Sequence, residues 1–186
     1  MLESSSISLL TQPFYFVRHG ESESNLNNTI AGSLDVPLTK RGLSQAQAAA
    51  AAVQSIGVTA IYSSALTRAR VTADCIAHTL ALQVTVIPEL AERNWGELEG
   101  QPQSSRIRGV TPAGAETAQQ FMERVMRGLA QIDAAGAPLI VAHSGVFRAL
   151  CRILGIPEPA APVTNAQPVR FMLPRAPNLA WQVESI

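Results

Sequence analysis

Short apolar runs alternate with longer helix-like segments along this 186-residue chain. The runs are too short for helices and are mostly rich in β-branched or aromatic residues, whereas the segments between them have helical periodicity or an alanine-rich composition. The predicted strands are Phe14 to Val17, Ala60 to Tyr62, Val84 to Ile87, Pro138 to Ala142, Val169 to Leu173 and Ala180 to Val183. The predicted helices are Thr39 to Ile56, Ala65 to Leu80, Thr117 to Ala134 and Gly145 to Leu154.

This alternation predicts a three-layer α/β/α fold, in which a mainly parallel sheet lies between two layers of helices. A proline-rich turn separates the last two strands, so we expect an antiparallel edge strand. We expect a single domain over residues 1–186, with a flexible N-terminus over 1–12. The proline- and alanine-rich stretch from Pro157 to Pro168 is expected to be a surface connection.

Composition narrows the class of protein. The hydrophobic fraction of 47% and the charged fraction of 15% are typical of a globular domain. The 14 basic and 14 acidic residues cancel, so we expect no nucleic-acid partner. The residues before Pro13 have neither a basic start nor a sustained apolar stretch, and we expect a cytoplasmic protein that does not bind membranes. Cys75 and Cys151 lie in apolar, helix-like surroundings and are expected to be reduced core residues.

Polar residues with chemical potential follow the predicted parallel strands. They are Arg18 and His19 after the first strand, Ser63, Ser64 and Arg68 after the second, Glu92 after the third, and His143 after the fourth. In open α/β sheets, ligands bind beyond the carboxyl ends of the strands. We therefore expect these side chains to converge on one site.

These residue types suit phosphoryl transfer. A phosphomonoester carries a charge of about −2 at neutral pH, and the planar guanidinium of arginine binds its oxygens in a bidentate way. A neutral imidazole can attack phosphorus, and Arg18 and Arg68 would favour the neutral form of His19 by repulsion between like charges. A carboxylic acid can protonate the leaving alkoxide. No metal and no cofactor is required.

The same residues resemble the motifs of a known family, the histidine phosphatase superfamily, which includes the phosphoglycerate mutases. The matching blocks, in the order of the family, are Arg18-His19-Gly20-Glu21-Ser22 with Asn25, Asp35 to Thr39 with Gly42, Ser63 to Ala69, Leu90 to Gly96 with Glu99-Gly100, Pro112 to Thr117, and Val141 to Gly145. The resemblance extends from Phe14 to Leu154 and implies a phosphoglycerate mutase-like fold.

The resemblance also implies roles for individual residues. His19 would be the nucleophile that becomes phosphohistidine, and Glu92 the general acid that later activates water. Arg18, Arg68 and His143 would form the phosphate pocket. The remaining expected phosphate-binding residues are Asn25, Gly32 and Ser144. The implied substrate is a small phosphorylated metabolite, with a phosphoprotein as a further possibility.

Nearby residues have simpler interpretations. Glu89, Glu97 and Glu99 compete with Glu92 for the acid role, but only Glu92 stands where the motif places it. Arg93 is expected to be a rim or salt-bridge residue, and His78 is expected to be a surface residue. Glu116 is expected to supply a charge at the start of a helix. Trp95 is expected either to stack on the substrate or to be buried.

Three departures from the mutases favour a phosphatase. Ser24 stands where mutases often have an aromatic residue, Asn94-Trp95 replaces a characteristic His-Tyr pair, and the stretch from Gln101 to Thr111 is short. A mutase must exclude water from its intermediate, which favours a closing lid. The reduced cap region, residues 93–116, predicts an open pocket and a broad range of substrates or a bulky substrate.

Other functions remain as alternatives. A cofactor-dependent phosphoglycerate mutase-type transfer and a phosphatase acting on phosphohistidine or phosphoserine in proteins are enzyme alternatives. A non-catalytic phosphate-binding module is the alternative of a different class, because members of a fold can lose activity and keep a binding surface. A serine hydrolase based on Ser144 is excluded, since no G-x-S-x-G elbow surrounds it and no histidine follows it.

Overall fold

The computed structural model describes residues 7–133, 135–157, 163–174 and 180–186. The strands in this part of the chain are β1 (Phe14–Arg18), β2 (Ala60–Ser63), β3 (Val84–Val86), β4 (Pro138–Ala142), β5 (Pro168–Met172) and β6 (Gln182–Ser185). The α-helices are α1 (Glu23–Leu26), α2 (Lys40–Ala52), α3 (Thr67–Leu80), α4 (Ala118–Leu129) and α5 (Ser144–Ile153).

The strands form one sheet in the order β3-β2-β4-β1-β5-β6. The first four strands of this order are parallel to one another, while β5 is antiparallel to β1 and β6 is antiparallel to β5. The predicted mainly parallel α/β fold with an antiparallel edge is therefore confirmed. The parallel arrangement brings the carboxyl ends of β1, β2 and β4 to the same edge of the sheet.

Both faces of the sheet are buried, as the continuous apolar runs of its strands require. Successive side chains of a strand point to opposite faces. Phe14 and Phe16 of β1 belong to the core under α4 and α5, whereas Tyr15 and Val17 belong to the core under α2 and α3. The predicted three layers follow from this division. A single domain over residues 1–186 stays a prediction.

The expectation of a flexible N-terminus is wrong for residues 7–12. Ser8–Thr11 form a 3₁₀ helix, and Ile7 and Leu9 are fully buried in the core under α4 and α5. Their apolar side chains cover a part of the core that the sheet and its helices leave open. Residues 1–6 lie outside the described residues.

Several element boundaries differ from the predicted ones. Helix α2 ends at Ala52, where the N–H of Val53 donates to Ala49 O and the N–H of Gln54 donates to Ala51 O, a three-residue spacing that tightens the last turn. Strand β6 begins two residues later than the predicted Ala180. The one-turn helix α1 has no counterpart among the predicted elements. The predictions for Ala134, for 158–162 and for the turn over 175–179 lie outside the described residues.

Candidate active site

The carboxyl ends of β1, β2 and β4 form the base of the site. The backbone N–H of His19 donates to Ala142 O at 3.0 Å, and that of Ser64 donates to Val141 O at 3.1 Å. The rings of His19 and His143 consequently lie side by side, with 5.1 Å between their centroids. The structure thus brings together the two histidines that the strand ends predicted.

The His19 ring is buried, and one tautomer explains its contacts. Its Nδ1 lies 2.7 Å from the carbonyl oxygen of Gly20. Because a carbonyl oxygen only accepts, Nδ1 carries the proton and donates it to this bond. Nε2 therefore keeps its lone pair in the neutral ring, and this is the atom that can attack an electrophile.

Both rings are held in the neutral form. Burial lowers the pKa of His19 well below its ordinary value, and the positive charges of Arg68 and Arg18 lower it further against the Gly20 hydrogen bond. Burial also lowers the pKa of His143, followed by the charge of Arg68. A neutral His19 is the form that nucleophilic attack requires.

A close backbone crossing fixes the loop after His19. A Cβ at Gly20 would collide with the carbonyl oxygen of Gly42, which lies in the first turn of α2. The Gly20 N–H donates to Thr72 Oγ1 at 3.0 Å, and this hydroxyl donates to Arg68 O on α3. The loop is therefore held between α2 and α3, and only glycine fits at position 20.

Arg68 is among the most buried large side chains, with 1% of its surface exposed. Its Nη1 donates to Leu34 O at 2.7 Å and its Nη2 donates to Gly32 O at 2.8 Å. A guanidinium has five N–H donors, so donors remain for a ligand. The Asp35 carboxylate accepts from the N–H and the hydroxyl of Thr67. These bonds anchor the start of α3 beside the loop that contains Gly32 and Leu34.

The structure places Gly32 as a support for Arg68. Gly32 has a φ of +53°, and a Cβ there would collide with the Glu99 carboxylate. A left-handed conformation together with this close approach explains glycine at the position. Its carbonyl orients Arg68, and a direct contact between Gly32 and phosphate stays a prediction.

Arg18 is tied to a distant turn of the chain. Its Nη1 donates to Val163 O at 2.9 Å, and its backbone oxygen accepts from the Ala166 N–H at 2.8 Å. Burial lowers the pKa of Arg18, while the nearby Glu92 carboxylate raises it. Among the described residues, Arg18 Nε and His143 Nδ1 are buried nitrogens without a hydrogen-bond partner.

Asn25 has a defined orientation. Its Oδ1 accepts from Ser22 N at 3.2 Å, from Ser22 Oγ at 3.1 Å and from Asn165 Nδ2 at 3.2 Å. The amide oxygen is thus occupied, and the amide NH₂ is the part that can donate to a ligand. Asn165 Nδ2 also donates to His19 O at 2.9 Å, so one side chain supports both His19 and Asn25.

The carboxylate of Glu92 lies at the N-terminal end of α5. Its Oε2 accepts from the Gly145 N–H at 2.9 Å, and its Oε1 accepts from the N–H of Arg93 at 2.8 Å. A Cβ at Gly145 would collide with Glu92 Oε1. The glycine therefore permits the close approach that orients the carboxylate toward the strand ends. Ser144 is the first residue of α5, and Ser144 and Glu92 both line a cavity at this end of the helix.

Two of the competing carboxylates have other contacts. Glu99 Oε1 accepts from Ser33 N at 2.7 Å and from Trp95 N at 3.0 Å, and so joins two loops. Glu97 Oε1 accepts from Ala113 N at 3.3 Å and is exposed. Glu92 contacts the first turn of α5, which directly follows His143, and its role as the acid stays a prediction.

Arg124 on α4 supports the backbone that carries Glu92. It donates to Glu89 O at 2.8 Å, to Ala91 O at 3.0 Å and to Glu92 O at 3.1 Å. It also forms a two-point ion pair with Glu116 at 2.7 Å. Burial would raise the pKa of Glu116, but the Arg124 hydrogen bonds hold it below its ordinary value. Glu116 thus has a structural role, as expected.

Trp95 contacts arginines on the rim of the site. The guanidinium of Arg106 lies 3.9 Å from its ring centroid and that of Arg93 lies 4.4 Å away. Arg93 also donates to Glu116 O at 2.6 and 2.9 Å. Arg93 is thus tethered at the rim, as predicted, and the Trp95 ring packs against cations. His78 is exposed on α3, also as predicted.

The short segment between Gln101 and Thr111 crosses beside this rim. It is joined to the loop before it through the Ile30 N–H, which donates to Gln101 O at 2.8 Å. Residues 104–111 are all exposed. The segment is therefore a narrow strap with little packing beneath it.

Three supporting residues were missed from the sequence: Asn165, Thr72 and Arg124. Asn165 lies 146 positions after His19, and nothing local marks it as part of the site. Thr72 and Arg124 lie within helices, where the helical pattern places many residues in equivalent positions. Nothing in that pattern distinguishes these two residues as part of the site. The one signal in the sequence was the opposite charge of Glu116, just before α4, and Arg124, near the middle of that helix.

Within the ranges that the structure describes, no helix has both the length and the apolar character needed to cross a bilayer. Over the same ranges, no cluster of three or more His, Cys, Asp or Glu side chains has an arrangement suited to a metal ion.

A parallel sheet whose strand ends present two buried neutral histidines, two arginines and one carboxylate defines an enzyme of phosphoryl transfer. Residues 14–172 match the model of the histidine phosphatase superfamily (branch 1), and the chain belongs to this family. It is 34% identical over 141 residues to “Uncharacterized phosphatase PhoE” of Bacillus subtilis (strain 168), covering 72% of either chain.

Two further relatives cover more of the chain. “Probable phosphoglycerate mutase GpmB” of Yersinia pestis (strain Pestoides F) is 32% identical over 194 residues, which cover 92% of this chain and 90% of that protein. The crystal structure of TTHB049 from Thermus thermophilus superposes with a TM-score of 0.73 at 30% identity, covering 91% of this chain and 99% of that one.

Proposed function

We propose that the protein is a phosphomonoester hydrolase that works through a phosphohistidine on His19, with Glu92 as the general acid and base. One observation carries the proposal. The buried His19 ring is held neutral, with its lone pair on Nε2, beside two arginines and a second histidine. Membership of the histidine phosphatase superfamily supports the same class of reaction.

The reaction has two steps. Nε2 of His19 attacks phosphorus, an N–P bond forms and the P–O bond to the leaving group breaks, while Glu92 gives its proton to the leaving oxygen. Water then attacks the phosphohistidine as Glu92 accepts a proton from it. The N–P bond breaks, and inorganic phosphate and neutral His19 result. Each proton transfer contributes a factor of about 10²–10⁴ to the rate.

The unmatched donors of the site fit a bound phosphate. Leaving a buried polar atom without a partner costs about 1–3 kcal/mol. Arg18 Nε and His143 Nδ1 are two such atoms, and both belong to the predicted phosphate pocket. Phosphate oxygens would accept from them, from the remaining donors of Arg68 and from the Asn25 amide.

Hydrolysis is favoured over mutase-type transfer by the strap at residues 104–111, which is exposed along its whole length. A segment this short offers little chain for a closing lid, and a mutase needs such a lid to exclude water from its intermediate. The GpmB relative makes mutase-type transfer the second candidate. Assays with 3-phosphoglycerate, with and without 2,3-bisphosphoglycerate, separate the two, because a mutase gives 2-phosphoglycerate and a hydrolase gives free phosphate.

The proposed substrate is a small phosphorylated metabolite in the cytoplasm. The cavity next to Glu92 has a volume of about 470 Å³, within the range of roughly 300–1,000 Å³ that is usual for small-molecule sites. A phosphoprotein would need a long groove for its backbone, and a phosphopeptide arm in the substrate screen tests that alternative.

The central experiment compares His19→Ala with His78→Ala. Phosphate release from a panel of sugar phosphates, nucleotides, phosphoglycerates and phosphopeptides should vanish in the first variant and stay at the wild-type rate in the second, since His78 is exposed on α3. Rapid quenching with a ³²P-labelled substrate should trap an acid-labile, alkali-stable label on the wild type only. Phosphate release that survives His19→Ala excludes the covalent mechanism.

A further inference from the structure

Ser64, which directly follows β2, contacts the second histidine of the site. Its Oγ lies 2.8 Å from Nε2 of His143. The same oxygen accepts from the backbone N–H of Leu66 at 3.2 Å. Ser64 and His143 are both fully buried, each with 0% of its surface exposed. A hydroxyl carries one proton, and leaving a buried donor without an acceptor is costly, so the direction of the contact with His143 can be assigned.

Nε2 of His143 is the acceptor for the hydroxyl proton. Among the described residues, the Ser64 hydroxyl contacts Leu66 N and His143 Nε2, and an amide N–H can only donate. If Nε2 carried the ring proton, both contacts would be donations to Oγ, and the hydroxyl proton would have no acceptor. The hydroxyl therefore donates to Nε2. Because burial, followed by the charge of Arg68, lowers the pKa of His143, the ring is neutral and its one ring proton lies on Nδ1.

The two histidines of the site then present different atoms to a ligand. In His19, the Gly20 carbonyl holds the proton on Nδ1 and leaves the lone pair of Nε2 for attack. In His143, the Ser64 hydroxyl occupies the lone pair of Nε2, and Nδ1 is a buried donor without a partner among the described residues. In the opposite tautomer, Nδ1 of His143 would carry a lone pair and would repel the lone pairs of a phosphate oxygen.

We propose that Ser64 is a positioning residue that keeps His143 in its Nδ1–H tautomer, so that this neutral ring donates a hydrogen bond to the phosphoryl group. The inference rests on the proposed function and deepens it, since it gives a role to a residue that the two reaction steps do not use. Ser64 acts through His143. The Nδ1 donor acts on the phosphoryl oxygens, over which the charge of the transition state is spread.

Nitrogen-15 NMR of the histidine rings tests the tautomer directly. The chain has three histidines, so the ring signals can be assigned by comparing the wild type with His78→Gln and His143→Gln. At pH 7.5, Nδ1 of His143 should give a protonated, pyrrole-type signal and Nε2 an unprotonated, pyridine-type signal. Saturating inorganic phosphate should keep this tautomer and move the Nδ1 proton downfield. A protonated Nε2, or signals averaged over both tautomers, overturns the proposal.

Substitution of the two neighbouring serines tests the cause of the tautomer. Ser64→Ala should move the His143 nitrogen signals toward the average of the two tautomers. Ser63→Ala is the matched control, because the Ser63 hydroxyl is equally buried and donates to Ser64 O at 2.9 Å. The control should leave the tautomer of His143 unchanged. A wild-type tautomer in Ser64→Ala overturns the proposal, and the measurement on the wild type stands whether or not this variant folds.

A double-mutant cycle measures whether Ser64 acts through His143. Ser64→Ala should lower kcat/KM by roughly 10- to 100-fold, as for other hydrogen bonds to charged groups. In the His143→Gln background, the same change should lower kcat/KM by less than about threefold, because the ring whose tautomer it sets is absent. Equal losses in the two backgrounds would give Ser64 a merely structural role and overturn the proposal. An unchanged kcat/KM in Ser64→Ala also overturns it.

The NMR measurement separates this inference from the proposed function. A Ser64-dependent Nδ1–H tautomer whose proton responds to inorganic phosphate, in a protein that hydrolyses no substrate, supports the inference and contradicts the hydrolase. Phosphate release that needs His19, with the ring proton of His143 on Nε2, contradicts the inference and supports the hydrolase.

Discussion

The buried neutral histidines make the stability of the protein depend on pH in a predictable direction. In the folded protein, the pKa of His19 and that of His143 are both well below the ordinary value of 6.5. In the unfolded chain both titrate near 6.5. As pH falls through 6.5, the unfolded state therefore takes up protons that the folded state does not, and the free energy of unfolding decreases.

The size of this effect follows from the two pKa values of each ring. A histidine that stays neutral in the folded state loses about 1.4 kcal/mol of stabilisation between pH 7.5 and pH 5.5 relative to the unfolded chain. With two such residues, the free energy of unfolding should fall by about 2.7 kcal/mol over this interval. The Glu116 carboxylate titrates below this window, since its pKa is lowered by the Arg124 hydrogen bonds.

Urea denaturation at several pH values in this range measures the effect, with all solutions at constant ionic strength and without phosphate. The double variant His19→Gln/His143→Gln should give a nearly flat profile, whatever its absolute stability. His78→Gln is the matched control, because the chain has three histidines and His78 is the exposed one. The control should keep the wild-type slope.

Two results would refute the reasoning. A wild-type free energy of unfolding that is constant between pH 7.5 and 5.5 would show that the rings take up protons in the folded state as readily as in the unfolded chain. An unchanged slope in the double variant would assign the dependence to other groups. In either case the neutral His19 on which the covalent mechanism depends would lack support.

Three substitutions test how the site is held together. Gly145→Ala should displace the Glu92 carboxylate and lower kcat for alkyl phosphates about as much as Glu92→Gln does, with a smaller loss for p-nitrophenyl phosphate, whose leaving group needs less protonation. Asn165→Asp removes the donor to His19 O and to the Asn25 amide oxygen, and should raise KM with a small change in melting temperature; an unchanged KM would contradict the positioning role. Arg124→Met should lower the free energy of unfolding by about 3–5 kcal/mol, because Glu116 loses its partner; a loss below about 1 kcal/mol, by urea denaturation, would show that solvent replaces the pair.

Much of the site could be predicted because its residues directly follow strands. Arg18, His19 and His143 come at the ends of short buried runs, and the alternation of strands and helices places those ends at one edge. Arg68 and Glu92 follow their strands at a short distance. A local pattern is sufficient for residues of this kind.

The parts that could not be predicted depend on contacts between distant segments. The turn at Val163–Ala166 contacts the end of β1 only because β5 pairs with β1. The burial of Ile7 and Leu9 depends on a gap in the core that no local pattern reveals. The one-turn helix α1 depends on a capping box between Ser22 and Asn25, which is too short to show periodicity.

The position of β1 in the sheet has a consequence for how activity arises during synthesis. β1 emerges from the ribosome before both of its neighbours, β4 and β5, which lie more than 120 residues later in the chain. Such long-range pairing forms late in folding. The His19 loop, which is clasped by Asn165, therefore has no fixed geometry until the last quarter of the chain has been made. A nascent chain that ends before β4 would lack a formed His19 loop, and the proposed hydrolysis could begin only after β4 and β5 have been made.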